Sequence, residues 1–317
     1  MRWYLSFRAA LWTLTLACFC LGFVVSANAV SDLQQHLSDV YQGKTLILRG
    51  FYSGDHLEYD SSGHVIGATS ADDWTVAGVV QITSLSLSGA RVEIKARRLY
   101  LGWPDGAFQE LRDYDQEGNP DKDEEKNRSL IIEDDLGTAT ALAADRVLSQ
   151  IFLNGEDNFA DLVPAYWKSC VLSAITGRDR QRYSSCQFSR DFLAIPGVAH
   201  TSAGSPQSDQ AESQQSESSS IISDLHPGSG VSPPRMIHTQ DPTFSEQARR
   251  AGYRGRSMLR LVVDRDGNVR DIRIDQPLGG GLDPKAVEAV WQWRFLPARK
   301  DGKPVAVEIA VQIDFRR

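Results

Sequence analysis

The sequence has little of what catalysis or metal chemistry requires. It has four cysteines but no Cys-x-x-Cys pair, and its six histidines show no metal-ligand spacing. It has no phosphate-binding loop and no nucleophile pattern such as Gly-x-Ser-x-Gly. These absences argue against an enzyme, and we predict neither catalytic residues nor a cofactor.

The chain also lacks an excess of positive charge. Its net charge is −7, which argues against a nucleic-acid partner. The charge is unevenly distributed, because residues 30–196 carry a net −10 whereas sixteen basic and eleven acidic residues follow from Pro233 onward. The distribution predicts an acidic domain joined to a mildly basic one.

Long hydrophobic runs are absent after the first 29 residues. Arg2 and Arg8 accompany the apolar run from Ala9 to Val25, and Ala27-Asn28-Ala29 has the small-x-small pattern of a cleavage site. The run is about 17 residues long, which is also near the short limit of a membrane span. We predict that residues 1–29 are a signal peptide for export to the periplasm. An uncleaved inner-membrane anchor is the alternative to a soluble mature protein.

Aromatic residues are missing from residues 197–232, of which eleven are serine. Such a segment buries too little apolar surface to offset the entropy of ordering, so we predict a disordered linker. It separates a domain of unknown function, residues 30–196, from a C-terminal domain, residues 233–317.

Residues 30–196 match no family that we recognise, but their periodicity is informative. We predict a helix over 30–42, then strands that include a hairpin turning at Asp60–Gly63 and a strand starting at Trp74. Helical patterns follow over 138–153 and 159–175, with a break at Pro164. The prediction is an antiparallel β meander followed by helices.

Cys170 and Cys186 are the two cysteines that remain after the signal peptide. In an oxidising compartment the simplest expectation is a disulfide between them, and two buried thiols are the alternative.

One acidic stretch has the spacing of a calcium-binding loop, in which hard carboxylate oxygens and a bend glycine suit Ca²⁺. The candidate ligands are Asp113, Asp115, Glu117, Asp121 and Glu124. Pro120 and the long side chain of Glu117 depart from the usual loop, and we expect strands rather than paired helices on either side. We therefore favour a solvated acidic insertion, with calcium binding as the alternative.

The C-terminal pattern is compact. We predict a helix over 243–252, a hairpin over 257–275, a flexible loop at Gly279–Gly281 and a helix capped by Asp283. Six alternations of apolar and polar residues from Val305 to Phe315 predict a strand with one dry and one wet face. Three aromatic residues lie at the end of this helix and before the strand, and we predict that they belong to the core. They are Trp291, Trp293 and Phe295.

These residues resemble the C-terminal domain of the TonB family of energy transducers. "FSEQARRAGYRG" resembles the family's opening helix, "LVVDRDGNVRDIRI" its first hairpin, and "WQWRFLPARKDGKPV" its Trp-Arg-Phe segment and turn. The resemblance covers Pro233 to Phe315. It implies a three-stranded antiparallel sheet with two helices, so the fold class of the whole chain is α+β.

The resemblance further implies that the closing strand lies at a sheet edge and accepts an extended segment of an outer-membrane transporter or other envelope protein. The predicted edge residues are Val305, Val307, Glu308, Ile309, Val311, Gln312, Ile313 and Phe315. An edge that is blunted, or paired with a second copy in a homodimer, is the alternative.

Two departures from the family pattern concern energy coupling. Residues 1–29 contain no histidine, whereas the family's membrane helix usually carries a Ser and a His toward the ExbB–ExbD motor, and the long proline-rich spacer is missing. We expect contact with that motor only if residues 1–29 stay uncleaved. The alternative function is a periplasmic adaptor or structural protein without energy coupling.

Overall fold

The computed structural model describes residues 30–113, 119–138, 140–199, 221–222 and 230–316. Helices and strands are mixed in this part of the chain, in agreement with the α+β prediction. No helix among these residues has the length and hydropathy needed to cross a bilayer.

A six-stranded sheet forms the centre of the first half, with the spatial order β1-β4-β5-β8-β2-β3. The strands of the first half are β1 (Thr45–Ile47), β2 (His56–Tyr59), β3 (Val65–Ile66), β4 (Val79–Ser88), β5 (Arg91–Arg98), β6 (Leu101–Gly102), β7 (Gln109–Glu110) and β8 (Ser129–Asp135). β2 and β8 run parallel, so the sheet is mixed rather than purely antiparallel as predicted. The predicted turn after Tyr59 is present, since β2 and β3 form a hairpin.

The helices of the first half lie mainly after the sheet. They are α1 (30–41), α2 (Trp74–Ala77), α3 (Glu124–Asn127), α4 (Ala141–Ile151), α5 (Phe159–Leu162), α6 (Ala165–Thr176) and α7 (Arg190–Leu193). A 3₁₀ turn spans Pro104–Gly106. The predicted helical segments over 138–153 and 159–175 are therefore confirmed, and the second breaks at Pro164 as expected.

The strand predicted from Trp74 instead begins with a helical turn. The carboxylate of Asp73 accepts a hydrogen bond from Thr75 N at 2.9 Å and caps α2, and β4 starts only at Val79. All four residues of α2 are buried. A fully buried helical turn and a buried strand have the same apolar pattern, so periodicity could not separate them.

The C-terminal half contains a three-stranded antiparallel sheet of order β12-β11-β16. Its elements are β9 (Val231–Ser232), β10 (Arg235–His238), α8 (Glu246–Arg250), β11 (Gly255–Val263), β12 (Val269–Gln276), α9 (Leu282–Trp291), β13 (Arg294–Leu296), β14 (Ala298–Lys300), β15 (Lys303–Val305) and β16 (Val307–Phe315). α9 packs on β11 and β12. The three-stranded sheet β12-β11-β16 and the two helices agree with the expectation for this half.

The aromatic residues after α9 separate into two environments. Trp293 and Phe295 are buried, and Trp293 Nε1 donates to the Gln240 carbonyl at 3.0 Å. Trp291 is 58% exposed, so the prediction that it belongs to the core is wrong. The buried face of α9 includes Val290, and Trp291 follows as the last helical residue on the exposed side of the helix.

The two halves share one hydrophobic core. Trp74, Trp103 and Trp167 from the first half lie in the same buried cluster as Leu278 and Leu282 from the second. Trp74 contacts Trp167 edge-on, with ring centroids 5.1 Å apart. The sequence predicts two units joined by a linker, and in the structure these units are packed directly against each other.

Candidate functional site

β16 is an edge strand of the C-terminal sheet. It pairs with β11 from Val307 opposite Val263 to Phe315 opposite Gly255, without a register shift. On the side away from β11, Glu308 N donates to the Ile222 carbonyl at 2.9 Å. Backbone groups alternate in direction along a strand, so the N–H and C=O groups of Ala310 and Gln312 also point outward. The outer side of β16 therefore presents a row of donors and acceptors.

The two faces of β16 differ as predicted. Val307, Ile313 and Phe315 are buried, whereas Ala310 and Gln312 are exposed. Ile309 and Val311 are half-buried on the dry face, and Asp314 is exposed on the wet one. The dry face anchors the strand to the segment just before α8, since the Phe315 ring meets Phe244 edge-on at 5.5 Å.

The edge strand is shorter at its start than the sequence predicts. Val305 lies in β15, where it pairs with Ala298 across the hairpin that turns at Asp301–Gly302. Both turn residues have positive φ, 51° and 76°, which suits a tight hairpin turn. Val305 is therefore not part of the edge.

The opposite edge of the same sheet is covered. α6 packs against β12, and Cys186 Sγ lies 3.7 Å from the Asp275 carbonyl oxygen of that strand. The predicted disulfide between Cys170 and Cys186 is confirmed, and it ties α6 to the loop that lies on β12. A helix laid along an edge prevents that edge from pairing with another chain. Among the described residues, β16 is thus the edge of this sheet that stays accessible over most of its length.

A row of ion pairs crosses the wet face of the sheet and ends on β16. Glu308 accepts from Arg260 of β11 at 3.3 Å and from Arg182 of the first half. Arg260 also forms an ion pair with Asp275, whose hydrogen bonds raise the pKa of that guanidinium. Glu308, predicted to lie on the wet face of the strand, is held there by both halves of the chain.

Two residues at this site were not anticipated, namely Arg182 and Ile222. Arg182 reaches β16 only through tertiary packing, and nothing local in the sequence signals it. For Ile222 a signal exists, because Ile221 and Ile222 form an adjacent β-branched pair inside a serine-rich segment. Such a pair favours extended backbone.

The described calcium-loop candidates are engaged by protein donors. Asp113 is completely buried and accepts from Arg128 Nη2 at 2.8 Å, and Glu124 lies 3.2 Å from the same nitrogen. Asp121 accepts from the backbone N of Asp123. Asp115 and Glu117 lie outside the described residues. Within the described part of the chain, no cluster of three or more His, Cys, Asp or Glu side chains is arranged to hold a metal.

The Gly279–Gly281 loop, predicted to be flexible, is one of the contacts between the two halves. Gly280 N donates to the Leu101 carbonyl at 2.7 Å, and Gly281 N donates to Thr75 Oγ1 at 3.0 Å. All three glycines have positive φ, between 60° and 77°. At Gly279 the two backbones approach so closely that an added Cβ would lie 2.4 Å from the Leu101 carbonyl oxygen.

Asp283 supports this loop rather than capping α9. It accepts from Leu278 N at 3.1 Å, from Gly279 N at 2.6 Å and from Ser257 Oγ at 2.7 Å. Gly281 takes the N-cap position of the helix instead. The predicted cap was wrong because the carboxylate bonds to the chain before the helix, an arrangement that depends on the loop geometry.

Three buried carboxyl groups predict a pH-dependent stability. Burial raises the pKa of Asp73 to about 6 and those of Asp134 and Asp283 to about 7, from an ordinary value of 3.8. The folded state thus holds these protons more tightly than the unfolded state. The contribution of these carboxyl groups to the free energy of unfolding is greatest below pH 4, and it is lost as the pH rises to about 7. We expect the melting temperature to rise by several degrees from pH 8 to pH 5.

Asp134→Asn provides the check on that expectation. An amide cannot ionise, so this variant should melt at a higher temperature than the parent chain at pH 8 and should show a shallower pH dependence. Melting curves followed by circular dichroism at half-unit pH intervals measure both slopes. Identical slopes in the two proteins would show that Asp134 titrates normally.

Fold and site together define the class of the C-terminal half, which is a small α+β module with an open antiparallel edge strand. Residues 240–316 match the family model described as the Gram-negative bacterial TonB protein C-terminal. These residues are a TonB C-terminal domain, as their resemblance to the family implied.

Two curated proteins are similar to this part of the chain. The chain is 33% identical over 81 residues to "Protein tonB2" of Pseudomonas aeruginosa, covering 25% of this chain and 30% of the relative. It is 33% identical over 88 residues to "Protein TonB" of Vibrio cholerae, covering 27% and 36%. A solution NMR structure of the Pseudomonas aeruginosa TonB C-terminal domain is 24% identical and has a TM-score of 0.24, covering 27% of this chain and 88% of that one. The chain thus spans about a third of the length of the curated relatives it matches.

Proposed function

We propose that this chain is a TonB-type envelope protein whose C-terminal domain binds extended segments of outer-membrane transporters by strand addition to β16. The observation that carries the proposal is the outer side of β16, where Ala310 and Gln312 direct N–H and C=O groups away from β11. An extended peptide satisfies such groups with its own backbone, and neighbouring side chains supply specificity.

The surroundings of β16 support a binding role for this edge. The other edge is covered by α6 and the disulfide, which directs an incoming strand to β16. The wet face carries exposed Gln312 and Asp314, and this polar character limits non-specific association. Export to the periplasm would bring the domain to such partners.

A second function is favoured by the shared core. Because Trp103 and Leu278 lie in one buried cluster, the TonB domain is held against the acidic first half rather than tethered at a distance. That arrangement suits a periplasmic adaptor that joins a partner on β16 to a partner on the first half, without energy coupling. N-terminal sequencing of the protein from the envelope separates the two functions. A start at Val30 excludes a membrane-driven transducer, and a start at Met1 supports one.

Ala310→Pro tests strand addition directly. The Ala310 N–H points outward and takes no part in pairing with β11, so proline removes a donor from the binding side without breaking the sheet. Loss of that donor, together with the clash of the ring with an added strand, should weaken binding of a peptide from a transporter N-terminus at least tenfold. The measurement is an NMR titration of the full chain, followed at the amides of 308–314.

Ala310→Val is the matched control, because it retains the N–H and favours extended backbone. It should bind as tightly as the parent chain. Hydrogen exchange at Leu261 of β11 reports whether either variant disturbs the sheet. If the amides of 308–314 do not shift at millimolar peptide in the parent chain, strand addition is wrong.

A further inference from the structure

One end of the β16 edge is already occupied by the chain itself. Ile222 forms a parallel bridge opposite Val307. Its N–H donates to the Ala306 carbonyl at 3.0 Å, and its carbonyl accepts from Glu308 N at 2.9 Å. Its half-buried side chain packs against the hydrophobic core shared by the two halves. Backbone pairing and apolar burial thus act together, as they do for a strand added to a sheet edge.

The groups that Ile222 uses are those that an incoming strand would need first. Glu308 N is the first outward donor of β16, and the next outward groups belong to Ala310 and Gln312. A backbone N–H donates effectively to one acceptor at a time, so Ile222 and a partner strand cannot both pair with Glu308. A partner aligned on 310–314 alone would have fewer hydrogen bonds available.

The same end of the strand is held from a second direction. The Glu308 side chain is only 13% exposed, and it bridges Arg182 of the first half to Arg260 of β11. These ion pairs use the side chain of Glu308 and do not involve Ile222, which pairs with the backbone. Ile222 therefore meets a preformed position on β16, as a separate peptide would.

We infer that Ile222 is an intramolecular competitor for the outer edge of β16, so that a strand covering Glu308 binds only after displacing it. The inference rests on the strand-accepting function proposed above. The competitor is the backbone of Ile222, a β-branched residue that lies opposite Val307. Its partner in trans is an extended segment with an apolar residue at the same position. The apparent affinity of the edge is then reduced by the fraction of molecules in which Ile222 is bound.

Ile222→Pro in the full chain tests the competition. Proline has no N–H for the Ala306 carbonyl, so the internal pairing is weakened while β16 is unchanged. The probe is a fluorescent synthetic peptide with the sequence of residues 217–226, "ESSSIISDLH", which carries the native Ile222. Its affinity by fluorescence anisotropy should be about tenfold tighter for Ile222→Pro than for the parent chain. Ile222→Val retains the N–H and the β-branched side chain and should bind the probe as the parent does.

Hydrogen exchange at the Glu308 amide reports the internal pairing without any added peptide. We expect slow exchange in the parent and in Ile222→Val, and faster exchange in Ile222→Pro. Equal probe affinity in all three proteins overturns the inference, whether or not the exchange rate changes. The titration with a transporter peptide tests the proposed function. The probe experiment requires no transporter, so the two failures can be distinguished.

Discussion

Replacing Arg128 with methionine is expected to lower the free energy of unfolding by about 3–5 kcal/mol. The Arg128 side chain is completely buried and donates to the Leu111 carbonyl at 2.7 Å and to Asp113 at 2.8 Å. Its guanidinium also lies 4.5 Å from the centroid of the Tyr100 ring. Methionine has a similar length but no charge, so Asp113 would be left as a buried carboxylate without its cation. Urea denaturation measures the loss.

A second variant separates the charge from the packing. Arg128→Met combined with Asp113→Asn also removes the completely buried carboxylate of Asp113 while Glu124 stays, and it should recover part of the lost stability. The comparison uses the parent chain, both single variants and the double variant. If the double variant is no more stable than Arg128→Met, the loss comes from packing and from the backbone hydrogen bond, and the charge pairing contributes little.

Gly279→Ala is expected to destabilise the chain by about 3 kcal/mol. A Cβ at this position would lie 2.4 Å from the Leu101 carbonyl oxygen and 2.7 Å from the Gly102 Cα, both of which belong to the other half. Overpacking of this kind costs about 1–3 kcal/mol, and the positive φ of 77° adds about 1–2 kcal/mol for a residue with a side chain. The alanine would push the two halves apart at their contact.

Gly302→Ala is the matched control for that prediction. Gly302 has a nearly identical φ of 76°, but a Cβ there would meet nothing within 4 Å. Only the backbone cost of about 1–2 kcal/mol should remain. Exchange of the Trp103 amide, which donates to the Leu278 carbonyl at 3.0 Å, should accelerate in Gly279→Ala and not in Gly302→Ala. Equal destabilisation by the two substitutions would show that the close approach at Gly279 does not constrain the protein in solution.

Much of the C-terminal fold could be predicted because its signals are local. The alternation along β16 follows from a period of two, and the turn at Asp266–Gly267 follows from glycine chemistry. The disulfide followed from cysteine count and compartment, and the geometry agrees with it. The position of β16 at a sheet edge could also be predicted, but from the resemblance to a family and not from the periodicity.

The predictions that failed depend on which distant segments meet. Asp283 resembles a helix cap in the sequence, yet its carboxylate bonds to Leu278 and Gly279 because the loop folds back toward Thr75. Trp291 continues an aromatic run but lies beyond the face of α9 that is covered. The parallel pairing of β2 with β8 joins strands that are separated along the chain by β3 to β7. A short-range sequence pattern carries no information about contacts between segments that are far apart along the chain.

The sequence by itself determined the helices and strands of the C-terminal half and the alternating strand that ends it, because propensity and periodicity act between near neighbours, and its resemblance to a known family indicated the TonB-type domain. Only the tertiary structure decided that both halves share one core, that α6 covers the β12 edge, and that Ile222 and Arg182 meet β16 at Glu308. Those outcomes depend on shape and hydrogen-bond complementarity between surfaces that are far apart along the chain. Gly281 and Thr75, 206 residues apart, are one such pair.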